Sequence, residues 1–221
     1  MTTPSGTLRL AALDWFIYSS ANYWAAMFSD LAAALVFLVL GLHRFSGHIV
    51  VASGVAIVGF ISWGLLEYVV HRWVLHGPPS VVRRGHAQHH ASPHALISTP
   101  LFAIMATALA ICALLGLVLP AGLATLLVFG LYGGYNYFAL LHHWEHHRRT
   151  DLTCIASLRR LERLHQVHHQ RRVVNFGITT TIWDRLFGTF QPTDEPAPNH
   201  VRWSTIRAYW MKLTCKLGAT S

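Results

Sequence analysis

From Ile49 to Val70 the chain runs for 22 residues (IVVASGVAIVGFISWGLLEYVV) with Glu67 as its only charged side chain. As a helix rising about 1.5 Å per residue, such a run crosses a hydrocarbon slab of roughly 30 Å. Three further stretches have the same character: Trp24 to Leu42, with Asp30 toward one end; about Leu96 to Leu119, with Pro100 near its start; and Ala121 to Leu141. None alternates with the period of two that a strand requires. In lipid, a helix is the only open structure that satisfies its own backbone polar groups. The expected fold class is therefore all-α, a polytopic membrane protein with four transmembrane helices and a cytosolic histidine-rich helical cap. A length of 221 residues is short of two ordinary domains, so one membrane-embedded domain over 1–221 is expected.

Composition agrees. Hydrophobic residues make up 53% of the chain and charged residues 12%, which excludes a disordered chain and a charge-coated globule. The net charge of +8 belongs to no DNA-reading helix or zinc-finger spacing, so it reads as attraction to anionic headgroups and not as nucleic-acid binding. Cys112, Cys154 and Cys215 lack a CxxC spacing and leave one thiol over, which excludes a disulfide scaffold and a thiolate zinc site. The first twenty residues mix polar and apolar groups, unlike a cleaved signal peptide. Arginines follow the second and fourth apolar stretches (Arg72, Arg83, Arg84; Arg148, Arg149, Arg159, Arg160, Arg163, Arg171, Arg172), whereas the intervening short links hold Arg44 alone. The positive-inside rule then places both termini and both long polar segments in the cytosol. Near the end, Trp203, Ile206, Trp210, Leu213 and Leu217 recur at helical spacing among basic residues, as in a helix lying in the headgroup plane.

Histidine is over-represented, with 16 residues, and most of them fall in four clusters on the cytosolic side: HRWVLH (His71, His76), HAQHH (His86, His89, His90), HHWEHH (His142, His143, His146, His147) and HQVHH (His165, His168, His169). Spacings of three and four place ring nitrogens on one helix face, and five does so if the helix opens at its end. So many imidazoles in one layer are costly to bury without partners, and a metal ion is the ordinary partner of a neutral imidazole nitrogen. Imidazole suits iron, zinc, copper and nickel alike. A polynuclear site just outside the hydrocarbon favours iron, because a lipid chain can reach it and C–H oxidation needs a cofactor.

The ordered clusters HxxxxH, HxxHH, HxxxH and HxxHH, followed by NFGITTTIWDRLFGTF, resemble the fatty acid hydroxylase and sterol desaturase superfamily of membrane non-haem diiron enzymes. The resemblance covers roughly Glu67 to Phe190. It implies two iron ions, O2 as co-substrate, a membrane lipid substrate, and ligands His71, His76, His86, His89, His90, His142, His146, His165, His168 and His169. It also implies a separate electron donor, such as cytochrome b5 or a ferredoxin and reductase chain, since no cytochrome domain is evident in this chain. In HHWEHH either His142 with His146 or His143 with His147 has the required spacing; the first pair is preferred. His143, His147 and His94 are then expected to bond to ligands or headgroups.

Glu67 resembles a recurrent acidic residue of the family, with two readings open: a carboxylate that orients an imidazole, or a salt bridge to Arg72. Asp184 and Arg185 are expected to pair and lock a turn, Gly177 to permit a backbone angle or a close approach that a Cβ would block, and Trp144 and Trp183 to wall the site. HRWVLHGP and GHAQHHASP resemble the 2-hydroxylase branch, while the NFG and WDRLFGT ending resembles the sterol desaturase side. Hydroxylation is preferred to desaturation. A metal-transporting protein would want ionisable groups at the span midplane. A b-type haem protein would want facing histidines within the spans.

Overall fold

The computed structural model describes residues 14–147 and 155–193. Both termini, Arg148, Arg149 and the expected headgroup helix over Trp203 to Leu217 lie outside the described residues. After a helical turn over 14–18, the elements are α1 (Ser20–Arg44), α2 (Ile49–Val69) running on into a π-helical turn (Val70–Leu75), α3 (Val81–Ala91), α4 (Ala103–Leu115), α5 (Ala121–His147), α6 (Ala156–Gln170) and α7 (Ile182–Leu186). Described residues form no strand, and the all-α expectation holds. Among the described residues, three helices are long and apolar enough to cross a membrane: Ser20–Arg44, Ile49–Leu75 and Ala121–His147.

The centre of the bundle is α5, which packs against both α1 and α2. Without a hydrophobic drive between helices in lipid, close backbone approach supplies the contact. A Cβ on Gly130 would sit 1.9 Å from the Ala56 carbonyl oxygen, and one on Gly59 would sit 2.2 Å from that of Leu127. Outward faces stay apolar, with Val50 77% and Ile61 65% exposed, as lipid contact demands. The polypeptide passes from one end of the bundle to the other. Tyr23, at the start of α1, hydrogen-bonds His143 at the end of α5, whereas Gly122 at the start of α5 packs on the Arg44 carbonyl.

The third apolar stretch departs from expectation. It yields only the 13-residue α4, about 20 Å long, because Pro100 disfavours helix in the residue before it and lacks an N–H. Residues 96–100 are non-helical, and Asn22 of α1 satisfies their polar groups. The Asn22 amide donates to Ser98 Oγ at 2.8 Å and to the Thr99 carbonyl at 2.9 Å, and its oxygen accepts the Leu101 N–H at 3.0 Å. Asp30 also differs: it lies near the middle of the 25-residue α1, is 2% exposed, and accepts the Tyr132 hydroxyl.

Candidate metal centre

Four elements at one end of the bundle carry the histidines. On a regular helix His71 and His76 would point roughly 140° apart. The π-helical turn brings them together, with the His76 N–H bonded to the His71 carbonyl at 3.1 Å. π-Bulges of this kind recur at functional sites. The Ser80 side chain caps α3 by accepting the Arg83 N–H at 3.1 Å, and that helix presents His86, His89 and His90. His142 and His146 extend from the last two turns of α5, and His165, His168 and His169 from α6.

Ten ring nitrogens converge in two sets. His71, His76, His86, His90 and His168 form one, and His89, His142, His146, His165 and His169 form the other, with the donor atoms in each set within 4.8 Å of one another. Each HxxHH motif is divided between the sets. The sets adjoin, as the rings of His90 and His169 lie 4.3 Å apart. Both expected residues of HHWEHH, His142 and His146, lie in the second set. His143 instead bonds Tyr23 at 2.7 Å and stacks on His147, while His94 Nδ1 meets the His146 carbonyl at 2.8 Å. His43 and His48 lie at the opposite end, beside the α1–α2 link.

The donor geometry fits metal ions and does not fit a hydrogen-bonded cluster. His86 Nε2 stands 3.1 Å from His71 Nε2, 2.9 Å from His76 Nε2 and 3.1 Å from His90 Nε2. One ring nitrogen carries either one proton or one lone pair and cannot bond to all three. Donors about 3.0 Å apart are adjacent corners around an ion with metal–nitrogen bonds of about 2.1 Å at right angles. In the second set, His89 Nε2 and His142 Nε2 are buried without a hydrogen-bond partner. The two histidine clusters are thus positioned to coordinate two metal ions.

Tautomers and charge states agree. The His71 Nδ1–H donates to the Phe176 carbonyl at 2.6 Å, and His168 Nδ1–H to that of Val174 at 2.8 Å, which leaves each Nε2 lone pair facing its set. Burial, reinforced by neighbouring imidazoles, holds His89 and His90 down at about 2 and His169 at about 3. His76 is held at about 4, by burial and then by the charges of His168, Arg172 and Arg83. Near pH 7 these rings are neutral, as metal ligands must be.

Glu67 makes neither a salt bridge to Arg72 nor a direct bond to an imidazole. It is 3% exposed and accepts the N–H groups of Ile178 and Thr179 and the Thr179 hydroxyl, while Arg72 donates to Tyr68 at 2.7 Å. The carboxylate holds the loop that carries Phe176, and so acts on His71 at one remove. Asp184 accepts the Phe176 and Gly177 N–H groups, both at 2.8 Å, and the Thr189 hydroxyl at 2.7 Å. Arg185 lies over the Phe190 ring instead of pairing with it. The turn is locked as expected, but by backbone donors. Gly177 serves close approach, because its Cβ would meet the Thr180 carbonyl oxygen at 2.1 Å, whereas the left-handed backbone angles belong to Asn175, at φ 52°, and Gly188, at φ 71°. Trp183 packs beside Gly64 on α2. Sequence reasoning missed the Asn22 strap and the carbonyl acceptors of Phe176 and Val174; spacing carries no signal for a backbone oxygen.

Two adjacent five-histidine sets at the end of an apolar helical bundle define a membrane dimetal histidine-cluster protein. The fatty acid hydroxylase family profile matches residues 56–189, and the chain belongs to that family within the fatty acid hydroxylase and sterol desaturase superfamily. It is 33% identical over 150 residues to the ceramide very long chain fatty acid hydroxylase scs7 of Schizosaccharomyces pombe, covering 62% of this chain and 42% of that protein. It is 29% identical to the fatty acid 2-hydroxylase of Rattus norvegicus, over 64% of this chain and 40% of that one. It is also 26% identical to the dihydroceramide fatty acyl 2-hydroxylase FAH2 of Arabidopsis thaliana, over 82% and 79%. The chain thus spans about two fifths of the first two relatives. The fold is similar to the hydroxylase domain visible in the structure of full-length scs7p, with a TM-score of 0.63 at 21% identity over 80% of this chain and 69% of that one.

Proposed function

We propose that this protein is an O2-dependent hydroxylase of a membrane-bound fatty acyl or sphingolipid chain, acting at a two-iron centre held by the ten histidines. The convergence of two five-nitrogen sets carries the reading. Relatives named as fatty acid or fatty acyl hydroxylases favour hydroxylation over desaturation. Bound iron would supply the O2 activation and C–H oxidation that side chains cannot perform. His71, His76, His86, His90 and His168 would hold one ion, and His89, His142, His146, His165 and His169 the other. The Phe176 and Val174 carbonyls fix the rings, and the apolar body keeps water from the acyl chain. An apolar groove of about 220 Å³ between α2 and α5, lined by Ala56, Ile57, Phe60, Phe129, Gly130 and Gly133, lies about three turns from the histidines and would take the far part of that chain.

The balance is one oxygen atom inserted and one released as water, with two electrons and two protons from a separate donor such as cytochrome b5 or a ferredoxin chain. In membrane placement, the histidine end faces the cytosol with the arginines and both termini. Residues 92–120 then make the fourth pass, α4 with its flanking turns, within one domain over 1–221. Incubation with a labelled lipid, a reductase system and ¹⁸O2 tests the function. The expected product carries label in a new hydroxyl and, with ordinary O2, is about 16 mass units heavier than the substrate. Loss of two hydrogens without label would make the protein a desaturase instead.

A further inference from the structure

A buried polar group in the bundle has no part in holding metal. Asp30, near the middle of α1, accepts the Tyr132 hydroxyl, and the Tyr135 phenol reaches the same carboxylate. An ionisable group at that depth in a span is costly and marks function. From this pair an aromatic column climbs to the second histidine set. Tyr132 stacks on Tyr135 at 5.8 Å, Tyr135 meets Trp63 at 5.3 Å, Trp63 meets Phe138 at 5.8 Å, and Phe138 stacks on His142 at 5.7 Å with the planes 7° apart. No two successive ring centroids are more than 5.8 Å apart, and the far end holds a phenol bonded to a carboxylate.

We infer that this column is a path for oxidising equivalents, with Tyr132 and Asp30 as its terminal proton-coupled redox pair. The inference rests on the proposed O2 chemistry. When the metal pair has been oxidised by O2 and no lipid is bound, one electron passes from Tyr132 through Tyr135, Trp63 and Phe138 to the metal pair. The Tyr132 O–H bond breaks, its proton forms a new O–H bond on the Asp30 carboxylate, and a neutral tyrosyl radical remains. Tyrosine is oxidised by one electron and the metal pair is reduced by one. Proton transfer within an existing hydrogen bond keeps positive charge from building on the phenol, which matters in a low-dielectric interior. A second tyrosine near the histidines lacks this arrangement. Tyr68 receives a hydrogen bond from the Arg72 guanidinium at 2.7 Å and reaches the Asp184 carboxylate only through the Thr189 hydroxyl, so no base takes its proton directly. The column thus draws the oxidant toward Tyr132, away from the ligands.

Electron paramagnetic resonance of the full chain in lipid nanodiscs tests this in two arms. In the first, reduced iron-loaded protein without substrate is mixed with O2 and freeze-quenched, and both iron oxidation and protein radical are read. A tyrosyl signal is expected, identified in the wild type by its narrowing with ring-deuterated tyrosine. It should be lost in Tyr132→Phe, retained in Tyr137→Phe, and decay roughly tenfold faster in Asp30→Asn, which removes a charge-assisted partner. In the second, zinc-loaded protein, whose metal has no redox chemistry, is oxidised by photogenerated tris(bipyridyl)ruthenium(III). The long-lived radical should again depend on Tyr132. Iron that oxidises without a tyrosyl radical, or with one unaltered in folded Tyr132→Phe, overturns the inference and leaves the proposed function standing. Iron that fails to react with O2 overturns the proposed function, and the zinc arm alone then decides the column, with no Tyr132-dependent radical counting against it.

Discussion

His71 Nδ1 lies 2.6 Å from the carbonyl oxygen of Phe176, a residue 105 positions later, so the orientation of a ring on the π-helical turn is set by the segment that follows α6. Asp184 holds that segment by accepting two of its N–H groups. Asp184→Ala leaves both donors buried without an acceptor, at a cost of about 3 kcal/mol. A lowered thermal midpoint is expected, together with metal affinity reduced about tenfold or more. Calorimetry and metal titration of the same preparation check this. Unchanged affinity would show that the Phe176 carbonyl does not position His71.

The allocation of histidines to two sets predicts a pattern in pairs of substitutions. His89→Ala or His168→Ala should each lower bound metal from about two ions per chain toward one, whereas His143→Ala should leave about two. His89→Ala with His165→Ala, both from one set, should still leave about one. His89→Ala with His168→Ala, one from each set, should leave almost none. Elemental analysis of protein purified without added metal distinguishes these outcomes.

Glu67 is buried against three donors of residues 178 and 179. Glu67→Ala leaves all three without an acceptor and should destabilise by about 3 kcal/mol. Glu67→Gln keeps one oxygen for the two N–H groups and should cost about 1 kcal/mol. Equal losses in the two variants, measured by denaturation in detergent, would mean that the negative charge itself matters.

Membrane placement is tested by labelling. Cysteines substituted singly for Arg44 and Arg83, in a background lacking the native thiols, should react with an impermeant reagent from opposite sides of the membrane, with position 83 on the cytosolic side. Reaction of both from one side would refute the proposed placement.

Much of this protein was legible from local order in the chain. The apolar runs of α1, α2 and α5 announce helices because burying a backbone in lipid leaves few other solutions. The four histidine clusters were legible because spacings of three and four are the periodicity of one helix face, whereas the choice of ten ligands among their twelve members came from the family resemblance. The π turn at His71 was readable only as a condition, that a spacing of five needs a helix that opens at its end. Packing decided the rest. Which histidines share a set depends on how α3 and α6 face the ends of α2 and α5, so neighbours such as His168 and His169 part company. The short α4 follows from Pro100 and from Asn22, which lies more than seventy residues earlier and satisfies the backbone that the missing helix would have satisfied itself. Glu67 and Asp184 drew their partners from backbone N–H groups. Every residue but proline carries such a donor, so composition and spacing cannot say which ones a buried carboxylate will meet.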